Sequence, residues 1–186
     1  MTRQFVTFLR AINVGGHNVK MDRLRHIFES IGFLGVETFI ASGNVLFESA
    51  SESEKAIEKK LQDELRESFG YAVATYVRSV QDLAEIARYS PFKKTPDGAT
   101  LYIAFLSEPL NKAAEEKLLS IQTKTDKFHF HGREIYWLCL TRFSDSKFSG
   151  PLLEKVLGVQ VTTRNSSTVR KLAAKCESRP KVSALS

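Results

Sequence analysis

The stretch Phe5-Val-Thr-Phe-Leu-Arg-Ala-Ile-Asn-Val-Gly-Gly16 decides the fold. In its first half Phe5, Thr7 and Leu9 alternate with Val6 and Phe8, so apolar side chains fall on both faces. A strand of that kind is covered on both sides and belongs in the middle of a sheet. The second half ends in two glycines, which punctuate a chain that must turn. Beyond them Leu24, Ile27, Phe28 and Ile31 recur at i, i+3, i+4 and i+7. That spacing predicts a helix over 22–31, with Gly32 as its stop.

Working outward, Val36–Ile40 and Val45–Glu48 read as two short strands around Ala41-Ser42-Gly43-Asn44, a hairpin turn. Ser51-Glu-Ser-Glu54 offers a capping box. Ile57, Leu61 and Leu65 line one face of a helix running to Phe69-Gly70, and Ala72–Val77 is another strand. The order is βαββαβ. A helix capped by Ser79 follows, with Val80, Leu83, Ile86 and Ala87 inward.

The loop Ser90–Gly98 is rich in turn formers and lysine, and marks a linker. After it the order starts again. Thr100–Leu106 is a strand, Asn111–Ile121 a helix, and Lys127–His131 and Glu134–Leu140 are strands. Gly150–Leu157 is a helix with proline in its first turn. Val159–Thr163 is a strand, and Ser167–Cys176 a last helix with Cys176 inward. Three echoes point to a repeat. Phe5–Leu9 matches Tyr102–Leu106, Ser42–Phe47 matches His131–Tyr136, and Val77-Arg-Ser79 matches Thr163-Arg-Asn165. The expected architecture is α+β, two repeated ferredoxin-like βαββαβ halves, each followed by an extra helix. The halves are 1–90 and 99–186, joined by the loop 91–98, and the second ends in a basic helix and tail.

Composition is that of a soluble globular chain. Of 186 residues, 42% are hydrophobic and 26% charged. No apolar run approaches the roughly 20 residues that span a bilayer. The N-terminus opens as a strand, without an apolar leader. Two cysteines without CxxC spacing argue against a disulfide framework and a zinc site, and a cytoplasmic protein is expected. The net charge is +6, and most of it sits at one end. Residues 161–186 carry Arg164, Arg170, Lys171, Lys175, Arg179 and Lys181 against Glu177 alone. Such an end can mark a nucleic-acid or membrane-surface partner; the favoured reading is a solvated helix face with a frayed tail.

Two segments hold candidate anion-binding groups. The opening loop supplies Arg10, Asn13, Gly15, Gly16, His17, Asn18 and Lys20 just before a helix start. Free amides and the positive end of the helix dipole attract anions there. Neither nucleotide-binding glycine fingerprint is met. The competing reading is a strand-to-helix turn in which Asn13 and Asn18 bond local backbone. The second segment is Arg164, Asn165 and Ser166 at the start of the last helix, backed by Arg170 and Lys171. Its competing reading is an ordinary N-cap. The strand order expected of each half sets the opening loop and the Ser42-Gly43-Asn44 turn at opposite ends, so the two should not share a site.

His129 and His131 alternate with Phe128 and Phe130 and therefore share one strand face. Without a carboxylate or cysteine at fitting spacing they read as a polar face, not a metal site. No nucleophile elbow or catalytic triad signature is present, so no catalytic residue and no cofactor is assigned. Three functions stay open: a protein binding a phosphate-bearing ligand or nucleic acid, an enzyme acting on a small phosphorylated or carboxylated metabolite through Arg10, Asn13 and His17, and a homodimeric partner-binding module. No membrane partner is expected.

The opening loop, extended to Met21-Asp-Arg-Leu-Arg25, resembles the start of a bacterial family, domain of unknown function 1697. So does Thr38–Phe47, and so do Leu157-Gly158 and Thr162–Val169 followed by Lys171-Leu172. The resemblance covers nearly the whole chain. Ala11 stands where the family usually has glycine, Ala41 where it often has glutamine, and Ser166-Ser167 where it often has Trp-Arg. The resemblance implies the duplicated α+β fold and no particular reaction.

Overall fold

In the computed structural model, which describes residues 2–10, 12, 19–40, 43–50 and 53–179, the opening strand β1 (Thr2–Leu9) is interior to a four-stranded sheet. Its neighbours are β3 (Asn44–Ala50) and β4 (Thr75–Ser79), and β2 (Leu34–Phe39) lies beyond β3. All pairings are antiparallel. Helices α1 (Met21–Ser30) and α2 (Glu54–Phe69) bury their apolar stripes against Phe5, Leu9, Val45, Phe47 and Val77. The stripes are Leu24, Ile27 and Phe28 from α1 and Ile57, Leu61 and Leu65 from α2. The Phe47 ring lies 4.6 Å from Phe33 and 5.5 Å from Phe28, distances at which aromatic pairs add to simple area burial. Val6, Phe8, Leu46 and Tyr76 point to the other face and are buried as well. That double burial is the cause of the unbroken apolar run in β1.

Both edges of this sheet are occupied. A bare edge offers amides and carbonyls to other chains, so folds cover it. On β4, the Val77 amide donates to Glu58 Oε1 at 2.8 Å and the Ser79 amide to Glu54 Oε1 at 2.6 Å. This corrects the expected capping box. The N-cap of α2 is Ser53, whose hydroxyl accepts from the Ala56 amide at 3.2 Å, and the Glu54 carboxylate turns to the strand edge. Ser51 and Glu52 lie outside the described residues. On β2, Glu37 pairs with Lys175 at 2.6 Å and the Gly35 carbonyl accepts from Arg179. Lys175 belongs to the last helix, α6 (Ser166–Ser178), and Arg179 follows it.

Helix α3 (Val80–Arg88) follows β4, and Ser79 caps it by accepting from the Asp82 amide at 3.1 Å. A second sheet then repeats the first order: β6 (Asp126–His131), β7 (Glu134–Cys139), β5 (Thr100–Phe105) and β8 (Thr162–Asn165), antiparallel throughout. Helices α4 (Lys112–Ser120) and α5 (Gly150–Leu157) contribute Leu118, Leu153 and Leu157 to a core with Phe128, Ile135 and Trp137. One buried carboxylate organises the rim of this core. Asp126 accepts from Trp137 Nε1 at 2.9 Å, Ser146 at 2.7 Å, Thr123 at 3.0 Å and Thr125 at 3.1 Å. Burial pushes its pKa up, but the four hydrogen bonds outweigh that and hold the carboxyl below the ordinary range.

The two sheets correspond residue by residue, and the correspondence corrects one echo read from the sequence. Arg78 lies opposite Val6 and donates to the Val77 carbonyl at 2.8 Å. Arg164 lies opposite Ile103 and donates to the Thr163 carbonyl at 3.0 Å. The third echo is therefore in register with the first. The second is shifted by one. Phe47 faces Phe5, but it is Trp137, not Tyr136, that faces Tyr102. The Leu9 amide donates to Gly43 and the Leu106 amide to Arg133, so Gly43 matches Arg133 and not Gly132.

The chain divides into two compact units, one of residues 1–85 with 172–186 and one of residues 86–171. No helix among the described residues is long and apolar enough to cross a membrane.

Candidate functional site

The C-terminal end of β1 brings together parts that the sequence reading had separated. Because β1 and β3 run antiparallel with Phe8 opposite Asn44, the end of β1 and the β2–β3 turn lie at the same end of the sheet. The Leu9 amide donates to the Gly43 carbonyl at 2.8 Å. This overturns the expectation that the opening loop and the Ser42-Gly43-Asn44 turn stand at opposite ends. The error was one of direction: in an antiparallel pair the end of one strand meets the beginning of the other.

The turn is built tightly. Gly43 has φ +76°, and a Cβ there would lie 3.0 Å from Ile12 Cγ2 and 3.1 Å from Leu9 Cβ. Only glycine accepts both that backbone and that contact. The Asn44 side chain is buried and its amide donates to the Phe39 carbonyl at 3.1 Å, closing the turn across its base. Ile40 has φ +48° and is 55% exposed. A β-branched side chain in the left-handed region is strained, and strain of this kind gathers at turns and functional sites.

Of the expected anion-binding residues in the opening loop, the described ones are Arg10 and Lys20. Arg10 directly follows β1, is partly buried, and its amide donates to the Ala74 carbonyl at 2.9 Å. Lys20 is exposed at the N-cap of α1 and gives that helix no side-chain cap. Ile12 and Val19 are both buried in the core of the first unit. Asn13, Gly15, Gly16, His17 and Asn18 lie outside the described residues.

The second expected cluster falls in the other unit. Arg164 and Asn165 are in β8, and α6 begins at Ser166. Arg164 donates to Thr162 Oγ1 at 2.8 Å and to the Thr163 carbonyl. Burial lowers its pKa to about 10. Asn165 Oδ1 accepts from the Ser167 amide at 2.8 Å, as an N-cap does. Arg170 donates to the buried Ser166 hydroxyl at 3.2 Å, and Lys171 is exposed.

His129 and His131 do share a strand face, and Tyr89 lies against both. Tyr89 was not singled out in the sequence. Its signal was its place three residues after the inward-facing Ile86. Among the described residues no group of three or more histidine, cysteine or acidic side chains could hold a metal ion.

Comparison with known proteins places the chain in a family. The family model described as "Protein of unknown function (DUF1697)" matches residues 1–136. The solved structure of "conserved bacterial protein SP0830 from Streptococcus pneumoniae" is similar at a TM-score of 0.74 and 25% identity, covering 94% of this chain and 98% of that one. No curated protein matches. With almost three quarters of its length matched, the chain belongs to the DUF1697 family of proteins of unknown function.

Proposed function

We propose that the protein binds an anionic, phosphate-bearing ligand at the C-terminal end of β1. One observation carries the reading. Leu9 and Gly43, one from each of two motifs that resemble the family's, are joined there by the bond from the Leu9 amide to the Gly43 carbonyl. Arg10 directly follows β1, and Lys20 stands at the α1 N-cap, where its own side chain makes no cap. The strained, exposed Ile40 follows β2 directly. An enzyme acting on a small phosphorylated or carboxylated metabolite would use the same groups, with Asn13 and His17 added.

The nucleic-acid version that rested on the basic C-terminus is less favoured. Arg164, Arg170, Lys175 and Arg179 all make internal bonds. A homodimer through the β2 or β4 edge is also less favoured, because partners already take Gly35, Val77 and Ser79. We further infer that each half has ferredoxin-like topology and that the two arose by duplication, with repeats at 1–90 and 99–186 and residues 91–98 between them. The matched hydrogen bonds of Arg78 and Arg164 support this. Two free, buried cysteines agree with a cytoplasmic location.

The test is a thermal-shift and calorimetric survey of sugar phosphates, nucleotides and inorganic phosphate. A ligand at 100 times its Kd stabilises by about 2.7 kcal/mol, a readily measured rise in Tm. Arg10→Gln and His17→Ala should weaken the response, and Arg164→Gln should leave it unchanged. If no phosphorylated compound shifts Tm, the reading fails.

A further inference from the structure

A second surface, in the unit of residues 86–171, carries rings and cations but no ligand assignment. Phe128 and Phe130 face the core of that unit, so His129 and His131 project from the opposite face of β6. Tyr89, just past α3, rests on them. Its ring stacks on His131 with centroids 4.1 Å apart and planes 16° from parallel. Its hydroxyl lies 2.8 Å from His129 Nε2. Phe92 meets the His129 ring edge-on at 6.5 Å. The buried Tyr136, 5.1 Å from Tyr89, backs the group from inside. His131 is exposed, and Tyr89, Phe92 and His129 are partly so.

The exposed charge that strand register and sequence set beside these rings is mostly cationic. Lys127 is exposed and shares the strand face of His129 and His131. Lys93 and Lys94 are exposed and follow Phe92 directly, and no acidic residue occurs between Arg88 and Pro96. Asp126 is buried on the opposite face, and Glu134, the partner of His131 on β7, is a buried carboxylate on the ring face. Flat rings held edge and face by one another, flanked by flexible cations, meet the two needs of an unpaired polynucleotide. Its bases stack on aromatic faces and its phosphates seek lysines. A duplex hides its base faces and has no use for the rings.

We propose that this surface binds single-stranded nucleic acid, with unpaired bases stacking on the Tyr89–His131 pair and Phe92 and with backbone phosphates meeting Lys93, Lys94 and Lys127. Binding is sequence-tolerant, because stacking uses the face that every base has. The site rests on different residues from those at the end of β1.

The experiment is fluorescence anisotropy of the full-length protein with short labelled oligouridine and oligothymidine, across a salt series. Affinity should fall with salt, and Lys93→Gln and Lys127→Gln should each lower the salt slope by about one. His131→Ala and Phe92→Ala should each weaken binding by about tenfold, while His131→Tyr, which keeps a stackable ring, should restore it to within about twofold. Circular dichroism of each variant separates lost stacking from lost folding, and the tyrosine variant gives a second reading if alanine unfolds the site. Three results would overturn the proposal: no binding at low salt, equal binding of duplex or of heparin, or His131→Ala binding as tightly as the parent. Loss on Arg10→Gln equal to that on His131→Ala would also overturn it, by moving the contact to the other site. A preference for oligouridine over oligothymidine would assign the surface to RNA.

Discussion

The backbone amide of Leu9 donates to the carbonyl of Gly43 at 2.8 Å, tying the last residue of β1 to the turn that begins β3. Through this bond two sequence motifs more than thirty residues apart become one structural feature.

Gly43→Ala should be much more destabilising than a glycine change elsewhere. The new Cβ meets Leu9 and Ile12 at about van der Waals overlap, in a left-handed backbone. Overpacking and backbone strain together should cost about 2–4 kcal/mol. Gly70→Ala shares the positive φ but opens into free space, and should cost only about 1 kcal/mol. Urea denaturation of the two variants compares them directly.

Ile40→Asn should stabilise the protein. Asparagine tolerates the left-handed region that Ile40 occupies at φ +48°, and the exposed isoleucine loses little burial. A gain of about 1 kcal/mol in urea denaturation is expected. If the strain serves ligand binding, the same variant will bind more weakly in the phosphate survey.

Asp126→Asn should destabilise the second unit by about 2–4 kcal/mol, because Trp137, Ser146, Thr123 and Thr125 all donate to the carboxylate. Its folded pKa lies below the unfolded value. The stabilisation is thus complete above the unfolded pKa near 4 and is lost as pH falls through the folded one. The parent should lose stability in acid faster than Asp126→Asn. Urea melts at a series of pH values below about 5 measure the difference.

Cys176 should make the alkaline side weaker. Burial raises its thiol from 9.0 to about 11. A raised folded pKa contributes stability below the unfolded value, and this is lost as pH rises through the folded one. Between those two values the parent should lose about 1–2 kcal/mol more than Cys176→Ala, after allowance for partial solvent screening. The same burial should keep the thiol unreactive toward a thiol reagent at neutral pH until the protein unfolds.

Local order was legible in the sequence because it is written in spacing. The double apolar face of β1, the i, i+3, i+4 stripes of α1 and α2, and the proline at the start of α5 each state a local preference without help from distant residues. The burial of Cys139 and Cys176 was legible for the same reason. The repeated sheet order could also be anticipated, though the hairpin echo slipped by one residue, since a strand pattern of period two does not specify its partner's register.

What tertiary structure alone decided was which ends and faces meet. The antiparallel pairing of β1 with β3 set Leu9 and Ile12 beside Gly43, a relation that no local pattern contains. The Glu54 carboxylate, expected to cap its own helix, went to the Ser79 amide because an edge strand there needed an acceptor. Tyr89 met His129 and His131 across forty residues for the same kind of reason. Side-chain spacing reports what one element buries. Only the packed chain determines which second element it is buried against, because that choice depends on long-range strand pairing and on satisfying every edge amide at once.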